Sequence, residues 1–472
     1  MYEEDYCMKK ILAAVIALAM LMTCVGSLAE SLTWWDQFMP LVETYNAYIF
    51  GPFEEETGIH IDYTNYDAAT IAEALDLAYA GGQSPDISSY VYSTQPIAKL
   101  TEGRFQPMTI TVDDLPEYLR SAIVEGYTMY NGQLYSFPTF ASNHQALMWR
   151  NTKTTDKVPA TLAEMREVCK ELTDADNNFY AVALPLTDTT RMNNIILYIA
   201  SLSGGNFGFN WNTGRYDYTT DEIKTVFQFF VDLWEDGSVH PASTTLKTRT
   251  VRERWMNDEI AYAFDGCWYP GSVRTAFGEE CLSKLGVSSA PVIDLDAAAE
   301  KGMVGASPSN GAFYISASCK DPEAATKALK YLLSDEYSIA LADAMDQPPI
   351  NGDAIAKSKS VAPVYVEACK IMASQMGLYP EPLVRNPEVG EVYTELMSIS
   401  PNVGDIYVGY ITGAITDWKS ALQEYSDAMN AELDRAIETC KSMGANVDRD
   451  NWVFPNYVQG ESYTSDKYSE LK

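Results

Sequence analysis

Apolar and polar positions alternate with two different periods along this chain, and each change of period marks an element. Phe53-Glu54-Glu55-Glu56-Thr57 reads as the end of a helix, stopped by Gly58. Ile59-His60-Ile61-Asp62-Tyr63 then alternates apolar with polar residues, the two-residue period of a short strand. Asp67 is placed to cap a second helix, whose Ile71, Ala74, Leu75 and Ala78 share one face. Gly81-Gly82 ends it, Pro85-Asp86 turns the chain, and Ile87 to Val91 reads as the next strand. Strand, helix and strand at this spacing predict a βαβ unit with parallel strands.

The same reasoning extends along the chain. Leu32 to Trp35 predicts an opening strand running into Asp36, and residues 41–56 a helix. A helical run is predicted from Leu115 to Tyr127, then a tight hairpin turn at Asn131-Gly132. Thr161 and Glu164 form a capping-box pattern that opens a helix through Leu172. Residues 193–202 and 221–235 predict two more helices, the second with Ile223, Val226, Phe227, Phe230 and Trp234 on one face. Strands are expected at 260–264, 285–291 and 311–316, and Asp321-Pro322 starts a helix through Leu333. From Trp418 to Ser442 one long helix carries Trp418, Leu422, Tyr425, Met429, Leu433 and Ile437 at helical spacing, and Gly444 stops it.

At 472 residues the chain is longer than one ordinary domain, and 47% hydrophobic content suffices for sizeable cores. The net charge of −32 repels phosphate backbones, so no nucleic acid is expected as a partner. Met8-Lys9-Lys10 followed by the apolar run Ile11 to Met22 has the form of a signal peptide. The predicted signal segment is residues 1–29, with cleavage before Cys24, a lipobox-like cysteine that would carry lipid, or before Glu30. No other stretch is long and apolar enough to cross a membrane. Six cysteines outside this segment are scattered without a Cys-x-x-Cys pair, and no His-x-x-x-His pair occurs, so neither metal nor other cofactor is expected.

The ordered set FEEETGI, GGQSPDIS, the stretches at 134–151, "PATLAEMREVCKELTD" and the Gly266-Cys267-Trp268 motif resembles the bacterial extracellular solute-binding proteins of family 1. These are the sugar-capturing subunits of ABC importers. The resemblance covers nearly all of residues 32–445. It implies an α/β, bilobal periplasmic-binding-protein-like fold of type II, with two interleaved α/β domains joined by hinge crossovers. Lobe one is expected to hold 31–140 plus 290–345, and lobe two 141–289 plus 346–472. It further implies an exported, monomeric protein with no enzymatic activity. Such a protein binds a carbohydrate by hinge closure and delivers it to a membrane permease.

Sugar rings stack on aromatic faces while their hydroxyls need polar partners. Trp34, Trp35 and Asp36 end the first strand, where open α/β sheets bind ligands. Tyr92 follows the strand at 87–91, and Asn143 and His144 lie in the first crossover. Trp268 and Tyr269 follow Gly266, and Asn310 and Gln347 stand near the remaining crossings. These residues, with Asp67, are the predicted ligand contacts. Core packing is the competing role for each tryptophan, and capping the competing role for Asp67. The acidic charge keeps a polyamine or other cationic-solute binder open. The 65 acidic residues also leave a secreted glycoside hydrolase as a second alternative.

Overall fold

The computed structural model describes residues 31–38, 41–66, 70–89, 103–120, 122–125, 127–141, 143–306 and 313–471. Two sheets organise them. The first has the strand order His60–Asn65, Ser31–Asp36, Ile87–Ser89, Phe313–Ser316 and Phe105–Gln106. Its first three strands are parallel, with Trp34 opposite Tyr63 on one side and Ile87 on the other, as the βαβ pattern requires. Phe313–Ser316 runs antiparallel to both of its neighbours. The second sheet has the order Leu285–Ser289, Leu147–Asn151, Ile260–Asp265 and Tyr180–Val182. The chain therefore leaves the first sheet, builds the second and returns. This interleaving makes the fold α/β and bilobal, of the periplasmic-binding-protein-like type.

Each sheet is buried by helices whose apolar faces were legible in sequence. Leu32, Trp34, Phe53, Ile87, Phe313, Ile315 and Leu329 share the first core. The second sheet is covered on both faces, so its strands alternate between two cores. Met148, Tyr262 and Phe264 meet Ile223, Val226, Phe227 and Phe230 on one side. Leu147, Trp149 and Ala263 meet Trp255, Tyr269 and Tyr365 on the other. Every residue of Ile260–Asp265 is buried, the condition for a central strand flanked by two layers.

Local punctuation follows the predicted chemistry. The capping box of Leu162–Leu172 closes with Glu164 N–H donating to Thr161 Oγ1 at 3.2 Å and Thr161 N–H to Glu164 Oε2 at 3.2 Å. Asn131 and Gly132 both have positive φ, 52° and 72°, in the hairpin joining Met129–Tyr130 to Gln133–Leu134. The long helix is Trp418–Met443, ending at Gly444 with φ 107°.

Three expectations shift. Among the described residues, the run from Leu115 to Tyr127 holds only a short helix, Glu117–Arg120. Beyond it, the Val124 carbonyl accepts from the N–H groups of Tyr127, Thr128 and Met129 and gathers the chain into a turn. The helix at 41–56 continues to Thr57, with a wider i→i+5 turn over Asn46–Phe50. Residues 290–306 pack with the second sheet, not the first. Ala290, Val292 and Val304 lie in its core, and Met303 N–H bonds Ser201 O at 3.2 Å.

The six cysteines of the described residues are all free, five of them buried. Among the described residues no cluster of His, Cys, Asp or Glu could hold a metal, and no helix is long and apolar enough to cross a membrane.

Candidate functional site

Asp36 ends an interior strand of the first sheet, Ser31–Asp36, and is fully buried. One oxygen, Oδ1, gathers three donors: the Tyr63 hydroxyl at 2.5 Å, Asn65 Nδ2 at 3.0 Å and the Phe38 N–H at 3.1 Å. Two of these come from the neighbouring strand, so the parallel register itself assembles the cluster. All three are neutral. Burial therefore outweighs them and raises the carboxyl above its ordinary range.

Asp265 ends an interior strand of the second sheet and is buried too. Its partners are charged. Arg191 Nη1 donates to Oδ1 at 2.8 Å, and Arg252 donates through Nε and Nη2 to Oδ2 at 2.9 and 2.8 Å. The Gly266 N–H and the Trp268 indole N–H each add a bond to Oδ1 at 2.8 Å. Burial alone would raise this carboxyl, but the two guanidinium groups hold it below the usual range. The Trp268 ring also lies flat on Gly266: a Cβ there would stand 2.5 Å from the indole carbons. Glycine is what lets the ring approach the backbone this closely. Trp268 is half-buried, fixed at its nitrogen and along one face.

The crossovers join these walls. Phe140 pairs with Pro349 across an antiparallel bridge, and Ala141 N–H bonds Pro348 O at 2.9 Å. Asn143 Nδ2 donates to Gln347 Oε1 at 2.9 Å, so these two predicted contacts meet each other. His144 is fully buried and accepts the Ala146 N–H at Nδ1, 3.1 Å away, which places its proton on Nε2. Nε2 donates to Gln375 Oε1 at 3.0 Å, and Gln375 Nε2 donates to Ser289 Oγ at 2.6 Å. Burial pulls the imidazole down to about 4. Polar bonds thus tie the crossover segments to one another.

The other predicted contacts divide. Trp34 is fully buried, its ring 4.9 Å from Phe313 and 5.3 Å from Phe50. Tyr269 is fully buried and stacked on Trp149 at 5.1 Å. Both belong to cores, because the apolar side of each strand end faces its helical layer. His144 belongs to the crossover clasp. Trp35, on the opposite face from Trp34, is half-buried against Tyr66 at 4.9 Å. Asp67, Tyr92, Asn310 and Cys24 lie outside the described residues. Arg191 and Arg252 were missed, since no local pattern marks a guanidinium as the partner of Asp265. Their positions on the first turn of Thr189–Leu202 and in Thr248–Met256, beside that strand's end, are tertiary facts.

A bilobal fold with a polar seam between two sheets defines a class of binding proteins. The family model described as bacterial extracellular solute-binding protein matches residues 49–367, about two thirds of the chain, and the chain belongs to that family. It is 26% identical over 209 residues to a maltotriose-binding protein of Pyrococcus abyssi, covering 44% of this chain and 43% of that protein. The chain thus spans less than half the length of that curated relative. Among solved structures it resembles an ABC transporter solute-binding protein of Thermotoga lettingae bound with alpha-D-tagatose. That match has a TM-score of 0.65 and 18% identity, covering 86% of this chain and all of that one. A maltose/maltodextrin-binding domain of Bdellovibrio bacteriovorus bound to maltotriose gives a TM-score of 0.62 and 18% identity, covering 86% and 100%. The GacH receptor of Streptomyces glaucescens, solved with acarbose, gives 0.65 and 16%, covering 86% and 99%.

Proposed function

We propose that this chain is the exported solute-binding subunit of an ABC importer. It captures a mono- or oligosaccharide by hinge closure, breaks no bond, and hands the sugar to a membrane permease. The observation that carries the reading is the posture of Trp268. An indole anchored through its N–H to a doubly paired aspartate, and laid on a glycine, is a rigid platform at the end of a central strand. Such a platform suits the apolar face of a sugar ring. Family membership and the maltotriose- and tagatose-bound relatives support the same ligand class. Trp35 and the Asp36 end of the first sheet form the facing wall. The Asn143–Gln347 and Ala141–Pro348 bonds lie where the lobes hinge. Ligand that bridges both walls favours the closed state through its differential affinity for it.

A thermal-shift screen tests this. Maltotriose, raffinose and chitin oligosaccharides are expected to raise the melting midpoint, because a ligand of the native state alone stabilises it. Stabilisation by spermidine in place of any sugar would assign a cationic ligand. Release of reducing ends from the same oligosaccharides would assign a hydrolase.

A further inference from the structure

The last crossing between the lobes follows the helix Asp335–Ala344. Tyr337 and Leu341 of that helix lie in the first core, whereas Met345, which ends it with φ 52°, lies in the core of Trp149 and Tyr269. The chain thus changes lobes within about one helical turn. The last carbonyls of a helix have no partner inside it. Here every carbonyl from Asp343 to Gln347 is met by a donor of the second lobe. Arg274 Nη2 donates to Asp343 O at 2.7 Å and to Ala344 O at 3.2 Å. Gly271 N–H donates to Met345 O at 3.1 Å, the Cys267 thiol to Asp346 O at 3.8 Å, and the Tyr365 hydroxyl to Gln347 O at 3.2 Å.

Gly271 and Arg274 sit on one helix, Tyr269–Phe277, whose first residue follows Trp268. They are one turn apart, so they share the face turned toward the crossing. The approach is close. A Cβ on Gly271 would stand 2.4 Å from both Ala344 O and Met345 O, so only glycine admits it. Ser272 N–H bonds Trp268 O at 3.0 Å, which joins the aromatic platform to the first turn of the same helix. Arg274 brings a positive charge to the C-terminal end of Asp335–Ala344, where the helix dipole is negative. Its Nε lies 3.9 Å from the exposed Glu279, and its Nη2 is the atom that reaches the other lobe. One rigid piece therefore runs from the Asp265–Trp268 platform to a helix end of the first lobe.

We propose that Arg274 is a positioning residue for capture: it clamps the last crossing to the helix that carries Trp268, so that this crossing moves as one body with the platform and the lobes turn about it. This inference rests on the sugar-binding reading above. Hinge closure then has a fixed pivot beside the ligand platform, and the two walls meet in one orientation. Without Arg274 two helix-terminal carbonyls lose their partner and the pivot loosens. The closed state that sugar favours becomes one of several, so less of the protein is competent to bind. Affinity falls although Arg274 donates to the crossing and not to ligand.

Calorimetric titration of the full chain with maltotriose, raffinose and chitotriose, on wild type, Arg274→Ala and Arg274→Lys, tests this. Wild type is expected to bind at least one of the three. Arg274→Ala is expected to bind that sugar about tenfold more weakly, the scale of one lost charged hydrogen bond. Arg274→Lys keeps a cation at the helix end and is expected to recover most of the loss. Wild-type affinity in Arg274→Ala, or no recovery in Arg274→Lys, overturns the assignment and leaves sugar capture standing. No binding of any of the three by wild type removes the sugar reading and Arg274's part in capture with it. Amide hydrogen exchange, read by mass spectrometry on wild type alone, checks the clamp whether or not the variants fold. Gly271 lies in the first turn of its helix, where an N–H has no partner within the helix, so its protection reports the bond to Met345 O. Equal protection with and without the bound sugar is expected. Protection that appears only with sugar would show a seam that opens, and overturns the pivot.

Discussion

The two walls end in the same residue at the same place. Asp36 and Asp265 each close an interior strand of a sheet, and each is buried. Their partners differ. Asp36 is held by a phenol, an amide and a backbone N–H, and its carboxyl is raised by burial. Asp265 is held by two guanidinium groups, and its carboxyl is lowered in spite of burial. Neutral hydrogen bonds position a carboxylate without repaying its desolvation, whereas two opposite charges in a dry site do. The second wall is therefore the electrostatically rigid one, and it carries the aromatic platform.

The largest effect should come from breaking that rigidity. Asp265→Ala leaves the partly buried Arg252 without its counter-charge, leaves Arg191 with only Asp188 at 3.7 Å, and frees the Trp268 nitrogen. A loss of about 3–5 kcal/mol is expected in urea unfolding, together with loss of sugar binding. A stable variant that binds normally would make the two walls equivalent. Next comes the contrast between tryptophans. Trp34→Ala is expected to cost ~3–5 kcal/mol of stability. Trp268→Ala should cost about 1–3 kcal/mol of binding, with a smaller shift in melting. A collapsed melting point with unchanged affinity would move Trp268 into the core.

Gly266→Ala is gentler. Its methyl group meets the Trp268 ring at 2.5 Å and must displace it. Weakening of sugar binding by roughly 1–2 kcal/mol is expected with the fold retained, the lower part of the overpacking range. Unchanged affinity would show that the ring's posture is irrelevant. The smallest effect separates the aspartates by pH. A raised native pKa means that the native state of Asp36 binds more protons than the unfolded chain between its own pKa and 3.8. Its contribution to stability thus falls as pH rises through that window, and Asp36→Asn should remove the slope. Asp265 has the opposite sign: its stabilisation is present above 3.8 and is lost as pH falls below it toward the lowered native pKa. Melting curves of Asp36→Asn and wild type from pH 3 to pH 7 measure the difference. Identical slopes would contradict the raised value.

Much of this was legible in the chain because its cause is local. The capping box at Thr161 and Glu164, the positive-φ pair Asn131-Gly132 and the glycine stop at Gly444 depend only on nearby residues, and each forms as read. The helical stripe from Ile223 to Phe230 needed only the 3.6-residue period. The juxtaposition of Gly266 with Trp268 was legible for the same reason. The run from Leu115 to Tyr127 misled because its apolar pattern was equally served by a turn closing on the Val124 carbonyl.

Alternation placed Trp34 and Trp35 on opposite faces, but only packing decided that Trp34 enters the core and Trp35 does not. The partners of Asp265 come from 74 and 13 residues away, and Asn143 finds Gln347 across 204. A sequence specifies how each segment folds through hydrophobic period and capping chemistry, which act over a few residues. Which charges meet depends on how the two sheets and their helices pack, and that is decided only when the chain closes on itself.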